Sequence, residues 1–303
     1  MKARKHLGNR TQLIIYASVI VFIVGYLLFK GIQSFRASYF VSAPERLNIV
    51  QYGSRTAFYS LTSTSGRSYV MYLPPDLKMS VPGGYGEYRL GSVGKLVHLY
   101  KDPSLIQKTL SVASSSFVHA YFYTSSDEVF YGTEVAAEKT RPSIRTIMFA
   151  DSNIGYLDRL YLALKLIRQS GEDYTLLSYN EEVNKIYNEI LFEDEAFEQN
   201  TIGLLYQKPY RLEQQNIQLQ YADSYKTAVK LSALLEGNGI RVNDLAEKRQ
   251  PVQRCQLIHD QQHDSQTLRD MAVFFDCDVK EGDTDIYDIL FVLGEAEQAW
   301  EIR

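Results

Sequence analysis

Residues Leu13 to Phe29 run Leu-Ile-Ile-Tyr-Ala-Ser-Val-Ile-Val-Phe-Ile-Val-Gly-Tyr-Leu-Leu-Phe without a charge or a proline, and no other stretch of this length in the chain is as apolar. As a helix rising about 1.5 Å per residue, with Thr11, Gln12, Gly31 and Ile32 as flanks, the stretch crosses a hydrocarbon core of roughly 30 Å. A cleaved signal peptide would have a shorter apolar core, of about 7–15 residues, and a small-x-small site behind it. Here Lys30-Gly31-Ile32-Gln33-Ser34-Phe35-Arg36 follows, with no Ala-x-Ala. A buried core helix would carry a polar stripe or sit inside a domain, and this one does neither. The expectation is a signal-anchor that tethers the rest of the chain to one face of a membrane.

The flanks set the orientation. Lys2, Arg4, Lys5 and Arg10 precede the stretch, and Lys30 and Arg36 follow it. The excess on the leading side places the N-terminus in the cytoplasm and the bulk of the chain outside it, as a single-pass membrane protein.

The first 36 residues hold six Lys or Arg and no acid, so of a net charge of −4 the remainder carries −10. That excludes a nucleic-acid partner, which needs a basic stripe to displace counterions. It also argues against long-range attraction to anionic wall polymers or lipid headgroups. With 303 residues, 45% of them hydrophobic, the chain can bury two modest cores beyond the anchor. Cys255 and Cys277 are the only cysteines. They suit either a disulfide outside the cytoplasm or two buried thiols, and no C-x-x-C supports a zinc site. The 23 tyrosines read mainly as half-buried cross-strand packers, with sugar stacking as the other use of such rings.

The pattern divides the chain into a cytoplasmic tail (1–11), a transmembrane helix (12–32), a stalk (33–46), an α/β domain (47–208), a linker (209–216) and a C-terminal domain (217–303). Short apolar or alternating runs at 47–52, 56–61 and 68–73, with Gly53-Ser54 and Ser65-Gly66 between them, predict a meander of strands. Pro74-Pro75-Asp76 breaks the third, and Val81-Pro82-Gly83-Gly84-Tyr85-Gly86 reads as a loop. Helical periodicity covers 91–100 and 103–113, with Pro103 at a helix start. Strands are expected at 117–123, 143–149 and 174–179. Between the last two, Asn153 is placed to cap a helix over Ile154–Ser170 whose Leu157, Leu160, Leu164 and Ile167 share one face. Residues 181–198 read as an acidic helix. Behind the linker come a strand at 217–221, a helix at 223–236, strands at 240–245 and 252–259, a helix at 265–275 capped by Asp264, and a strand at 286–293. That is β-α-β-β-α-β, the split plan of ferredoxin-like folds. The fold class expected is thus α/β: one N-terminal transmembrane helix, a mixed, sandwich-like α/β domain, and a ferredoxin-like C-terminal domain.

Tyr221-Ala222-Asp223, then Thr227-Ala228, then Leu235-Glu236-Gly237-Asn238-Gly239-Ile240-Arg241-Val242, and finally Asp288-Ile289-Leu290-Phe291-Val292-Leu293-Gly294 resemble the LytR C-terminal domain. The middle segment is distantly similar to the LytR–CpsA–Psr domain. That family transfers a glycopolymer from a polyprenyl pyrophosphate carrier to peptidoglycan, with arginines on the pyrophosphate and aspartates on a magnesium ion. The resemblance places its motifs at Pro74-Pro75-Asp76, at Arg89-Leu90-Gly91-Ser92 and at Gly155-Tyr156-Leu157-Asp158-Arg159-Leu160. It makes Asp76, Arg89, Asp158 and Arg159 the candidate catalytic residues. Pro75 stands where the family has an arginine, and Ile49-Val50-Gln51-Tyr52-Gly53-Ser54 lacks the family's early aspartate. A pyrophosphate needs several converging cationic groups, so the site implied is thin and the relative divergent.

Each candidate has a plainer reading. Asp76 suits a turn after Pro-Pro, and Arg89 and Arg159 suit solvated or snorkelling positions. The 81–86 loop lacks the spacing of a phosphate-cradling loop. His259-Asp260-Gln261-Gln262-His263-Asp264 joins a strand to a helix and does not match H-E-x-x-H. Ser114-Ser115-Ser116 has no base or nucleophile elbow beside it. Glu193-Asp194-Glu195 is the charge run of a solvated helix face. The function expected is non-catalytic binding or scaffolding at the cell wall, with peptidoglycan or an envelope glycopolymer as partner and no cofactor. The alternative is a LytR–CpsA–Psr-type phosphotransferase, which alone would need magnesium.

Overall fold

The computed structural model describes residues 9–36, 38–62, 66–133, 141–169, 174–179, 181–184, 189–248, 254–260 and 265–303. Its first helix, α1 (Asn9–Arg36), is about 42 Å long at 1.5 Å per residue. The window Leu13–Arg36 is apolar and wholly unburied, so by length and composition this helix can cross a membrane. The stalk behind it is not an open tether. Helix α2 (Tyr39–Ser42) follows after Ala37 and Ser38, and the first strand already begins at Arg46.

Strands β1 (Arg46–Gln51), β2 (Thr56–Thr62) and β3 (Ser68–Leu73) form the expected antiparallel meander. β4 (Leu77–Val81) and β5 (Gly86–Arg89) make a hairpin around the proline–glycine loop. Helices α3 (Val93–Tyr100) and α4 (Ser104–Ala113) follow as the periodicity predicts, then β6 (Ala120–Tyr123), α5 (Ile144–Phe149), β7 (Asp151–Ser152), α6 (Tyr156–Ile167) and β8 (Tyr174–Leu176). The first sheet has the order β7-β6-β1-β2-β3-β8, with β6 and β8 parallel to their neighbours β1 and β3. Side-chain alternation along these strands builds two cores. Leu47, Ile49, Tyr59, Leu61, Val70 and Tyr72 face Ile147 of α5 and Leu162 and Leu166 of α6. Val50, Phe58, Met71 and Leu73 face α3, α4 and β4 on the other side.

Three local readings are corrected. Residues 143–149 are a helix, because the Ser143 hydroxyl caps it by accepting from the Thr146 N–H. Asn153 caps nothing; its side chain accepts from the Tyr121 N–H and donates to the His119 carbonyl, which ties it to β6. Residues 181–198 divide into β9 (Glu181–Asn184), β10 (Glu189–Phe192) and the start of α7 (Asp194–Thr201). β10 and β9 extend the hairpin into a second sheet, β5-β4-β10-β9.

Residues 209–216, expected as a linker, carry α8 (Lys208–Glu213), whose Tyr210 is buried. The C-terminal part then runs β11 (Asn216–Tyr221), α9 (Tyr225–Gly237), β12 (Arg241–Glu247), β13 (Gln256–His259), α10 (Gln266–Phe275), β14 (Asp278–Glu281), β15 (Ile289–Val292) and α11 (Glu295–Ala299). Its sheet order is β12-β11-β15-β13-β14. A split plan would place another strand between the two strands of each βαβ unit. Here β11 pairs directly with β12, and β13 with β14, both in parallel. β15 enters between the two units, parallel to β11 and antiparallel to β13. The ferredoxin-like expectation is not met because β11 and β12 pair directly; β14 is a further strand that the sequence pattern does not predict, since Asp278–Glu281 is mostly exposed and shows no apolar alternation. Asp264, expected to cap α10, lies outside the described residues, and the Ser265 hydroxyl accepts from the Leu268 N–H in that role. Cys255 and Cys277 form a disulfide that joins the start of β13 to the end of α10.

This part packs closely on the rest. Phe117, ahead of β6, stacks on Phe274 with ring centroids 4.2 Å apart and meets Phe275 and Tyr210 edge-on. Behind α11, the Glu301 carbonyl accepts from the Gly83 and Gly84 N–H groups at 3.0 and 2.9 Å. Gly84 suits that turn on two counts. Its φ is +75°, and a Cβ there would lie 2.8 Å from the Glu301 carboxylate.

Candidate functional site

The four candidate residues fall into two pairs on opposite faces of the six-stranded sheet. Asp76 sits between β3 and β4, where its Oδ2 accepts from the Gly132 N–H at 3.0 Å. Its Oδ1 lies 4.0 Å from Arg89 Nη1, and that buried oxygen makes no hydrogen bond. The surrounding backbone is stitched: the Gly91 N–H donates to Pro75 and the Gly91 carbonyl accepts from Phe130. A half-exposed arginine at this distance contributes little binding energy.

Asp158 and Arg159 belong to the first turn of α6, on the other face. Asp158 accepts from the Tyr39 N–H at 2.7 Å and so holds α2 in place. Burial raises its carboxyl pKa, and the Tyr39 bond opposes that shift. Arg159 donates to the Ala150 carbonyl at 2.7 Å and to Ile147, Met148 and Ile154 at 3.3 Å. It closes the C-terminus of α5, whose last carbonyls have no partner within the helix. Its guanidinium also lies against the Tyr156 and Phe122 rings. Magnesium takes one or two carboxylates together with phosphate oxygens. The two aspartates are each engaged by a backbone N–H, on different faces, and do not form one ligand set.

The remaining motifs are occupied by structure. The Gly83 and Gly84 N–H groups, which a phosphate would need, already hold the Glu301 carbonyl. Ser114 Oγ donates to Leu110 and lies 2.9 Å from Ser116 Oγ, both buried. His259 Nδ1 is 2.9 Å from the Asp260 carbonyl, while His263 is outside the described residues. Among the described residues no group of three His, Cys, Asp or Glu is placed to hold a metal ion. Asp194 pairs with Lys230 at 3.1 Å.

The structure instead forms a cleft of about 320 Å³ where the two main parts meet. Its walls come from the end of α4 (Ser114, Ser115), from α7 and the segment behind it (Glu198, Tyr206), from α8 (Arg211) and from the end of α9 into β12 (Glu236, Arg241). Asn238, fully buried, fixes this junction. Its side chain accepts from the Phe117 N–H and donates to the Leu234 carbonyl, and its own carbonyl accepts from the Gln207 N–H. The Arg211 stem lies over Gly239 and its guanidinium stacks on the Tyr206 ring at 4.9 Å. Burial raises the Glu198 pKa against the pull of Lys230. Burial and then Glu198 raise that of Glu236. The cleft thus presents carboxylate acceptors, guanidinium donors and an aromatic face together, which suits a ligand rich in hydroxyl or amide groups. Sequence reasoning missed it because its residues come from five segments. The one local signal was the glycine–asparagine–glycine turn at 237–239.

No family model matches the chain, and no curated protein matches it. Solved structures are similar to it at low identity. The transcriptional regulator yvhJ from Bacillus subtilis is 7% identical at a TM-score of 0.34, over 52% of this chain and 94% of that one. B. subtilis TagV is 9% identical at 0.35, over 65% of this chain and 98% of that one. A transcriptional regulator from Enterococcus faecalis is 7% identical at 0.33, over 65% and 88%. Likeness of this degree assigns neither a family nor an activity to the chain.

Proposed function

We propose that this is a membrane-anchored, extracytoplasmic envelope protein that binds a wall polymer, peptidoglycan or an envelope glycopolymer, in the cleft between its two main parts, without catalysis. The observation that carries the reading is the cleft itself. It is of sugar size, lined by Tyr206, and mixes Glu198 and Glu236 with Arg211 and Arg241 rather than gathering cations around one point. Pyrophosphate would call for the opposite, a convergence of guanidinium or ammonium groups. The placement outside the cytoplasm has separate support from the Cys255–Cys277 disulfide, since such bonds persist in oxidising compartments.

The test is titration of the detergent-solubilised full chain with soluble peptidoglycan fragments and with purified envelope glycopolymer. Binding should be weakened about tenfold or more by Tyr206→Ala or Arg211→Ala and left alone by Asp76→Ala and Arg89→Ala. Turnover of a polyprenyl-pyrophosphate-linked glycan that is lost in Asp76→Ala and Arg89→Ala would instead establish the phosphotransferase.

A further inference from the structure

Helix α6 buries the wrong residues for its sequence. Leu157, Leu160, Leu164 and Ile167 share the face expected to meet the core, yet the buried positions are Leu162, Ala163 and Leu166. Tyr156, Leu160, Leu164 and Ile167, spaced i, i+4, i+8 and i+11, are left 44% to 80% exposed, and Phe149 at the end of α5 is 83% exposed. A single exposed leucine is ordinary. A continuous apolar strip along one helix marks a surface that meets something else.

The fold says what that is. α6 is the same helix that grips α2, the element next after the anchor. Asp158 holds the Tyr39 N–H, and the Tyr161 ring packs on Tyr39 and Phe40 at 6.1 and 5.3 Å. Phe40 in turn stacks on Phe35, in the last turn of α1. Only Ala37 and Ser38 separate α1 from α2 in the sequence. The strip therefore runs along the helix on which α2, the first element behind the anchor, packs. Its chemistry suits that depth: leucine and isoleucine for the acyl boundary, Tyr156 for the headgroup level, and the exposed Arg145 and Arg168 beside them.

We propose that the α5–α6 face lies on the lipid bilayer, with Tyr156, Leu160, Leu164, Ile167 and Phe149 seated in the interfacial layer of the outer leaflet. This rests on α1 being a membrane anchor. The −10 carried behind the anchor gives no long-range attraction to anionic lipid, so the contact is held by apolar burial and is insensitive to salt. It orients the molecule: one face is fixed flat against the membrane, and the C-terminal part is held by the sheet rather than by a swinging stalk.

The test uses the full chain in phosphatidylcholine nanodiscs loaded with one copy each. A polarity-sensitive fluorophore is attached to one introduced cysteine at a time: Leu160→Cys, Leu164→Cys, Ile20→Cys in α1, and Val273→Cys on exposed α10 as the solvent reference. The native cysteines, being paired, stay unlabelled. Expected is about twofold or greater loss of fluorescence at 160 and 164 with a shallow spin-labelled lipid and at 20 with a deep one, unchanged by salt, and none at 273 with either. Quenching at 20 with none at 160 and 164 overturns the proposal and leaves the anchor standing. No quenching at 20 overturns the anchor and the proposal together. No quenching at 160 and 164 in either case, with an apolar emission shift there that appears only in discs holding two copies, assigns the strip to a second copy of the chain and overturns it as well.

Discussion

Gly237 and Ser115 meet backbone to backbone: a Cβ on Gly237 would lie 1.8 Å from the Ser115 carbonyl oxygen. The C-terminal ends of α4 and α9 can approach this closely only because one of them ends in glycine. Gly237→Ala should force them apart and destabilise the fold by about 1–3 kcal/mol, the usual cost of overpacking. The midpoint of urea unfolding reads this directly, and an unchanged midpoint would mean that the junction is looser than described.

Arg159→Met should destabilise α5 by about 1–3 kcal/mol, because it strips the carbonyls of Ile147, Met148 and Ala150 of their donor. Amide exchange in 144–150 should speed up while exchange in β11 and β15 stays as it was. Polymer affinity should not change, since this arginine lies far from the cleft walls.

Removing the disulfide by Cys255→Ser with Cys277→Ser opens a loop whose ends are 22 residues apart. The loss expected from loop closure is about 3 kcal/mol. A lowered thermal midpoint without dithiothreitol, and little further effect of adding it, is the result that fits. A wild-type chain whose midpoint ignores reductant would contradict the bond.

Two half-buried residues give the pH dependence. Lys165 Nζ makes no hydrogen bond, and burial, then Arg46, lowers its pKa from 10.5 to about 8. Below pH 8 the folded chain therefore holds a charged amine that the unfolded chain hydrates better, and that cost fades as pH rises from 8 to 10.5. Lys165→Met should stabilise at pH 7 by about 2 kcal/mol, with the gain shrinking by pH 10. A gain independent of pH would refute the account.

His119 behaves in the opposite pH range. Burial lowers its pKa to about 4, and the Asn48 N–H donates to Nδ1 at 3.1 Å, a bond that only the unprotonated nitrogen can accept. The unfolded chain takes up the proton first, near pH 6.5, so stability is full above that value and is lost as pH falls toward 4. The imidazole resonance of the folded chain should titrate near pH 4 in NMR, and a midpoint near 6.5 would show the ring to be solvated.

The elements that were legible were those whose signal is local. The meander β1–β3 announces itself through alternation broken at Gly53 and Gly66, and α3 and α4 through period and Pro103. Where the signal is tertiary, reading failed. Ile144–Phe149 has the composition of a strand and became a helix because of one serine cap. α6 has a clear apolar face, yet the sheet buries a neighbouring face through Leu162 and Leu166. Asp278–Glu281 became a strand because β13 offered it an edge, not because of its own side chains. The candidate residues are a similar case. Motif spacing located Asp76, Arg89, Asp158 and Arg159 along the chain, but the six-stranded sheet runs between the two pairs. The cleft at Tyr206 and Arg211 has no motif, since packing alone assembles it.

The Glu301 carbonyl on Gly83 and Gly84 gives the molecule a second strut. Tension between the membrane and the C-terminal part would not run only through the single covalent passage at 208–216. It would be shared with a clamp at the 82–86 turn, so the two parts form a braced frame rather than beads on a cord. A wall polymer seated between them would then be gripped by a rigid jaw braced at this clamp as well as at the Phe117 and Asn238 contacts, and sliding one part past the other would require all of them to give way.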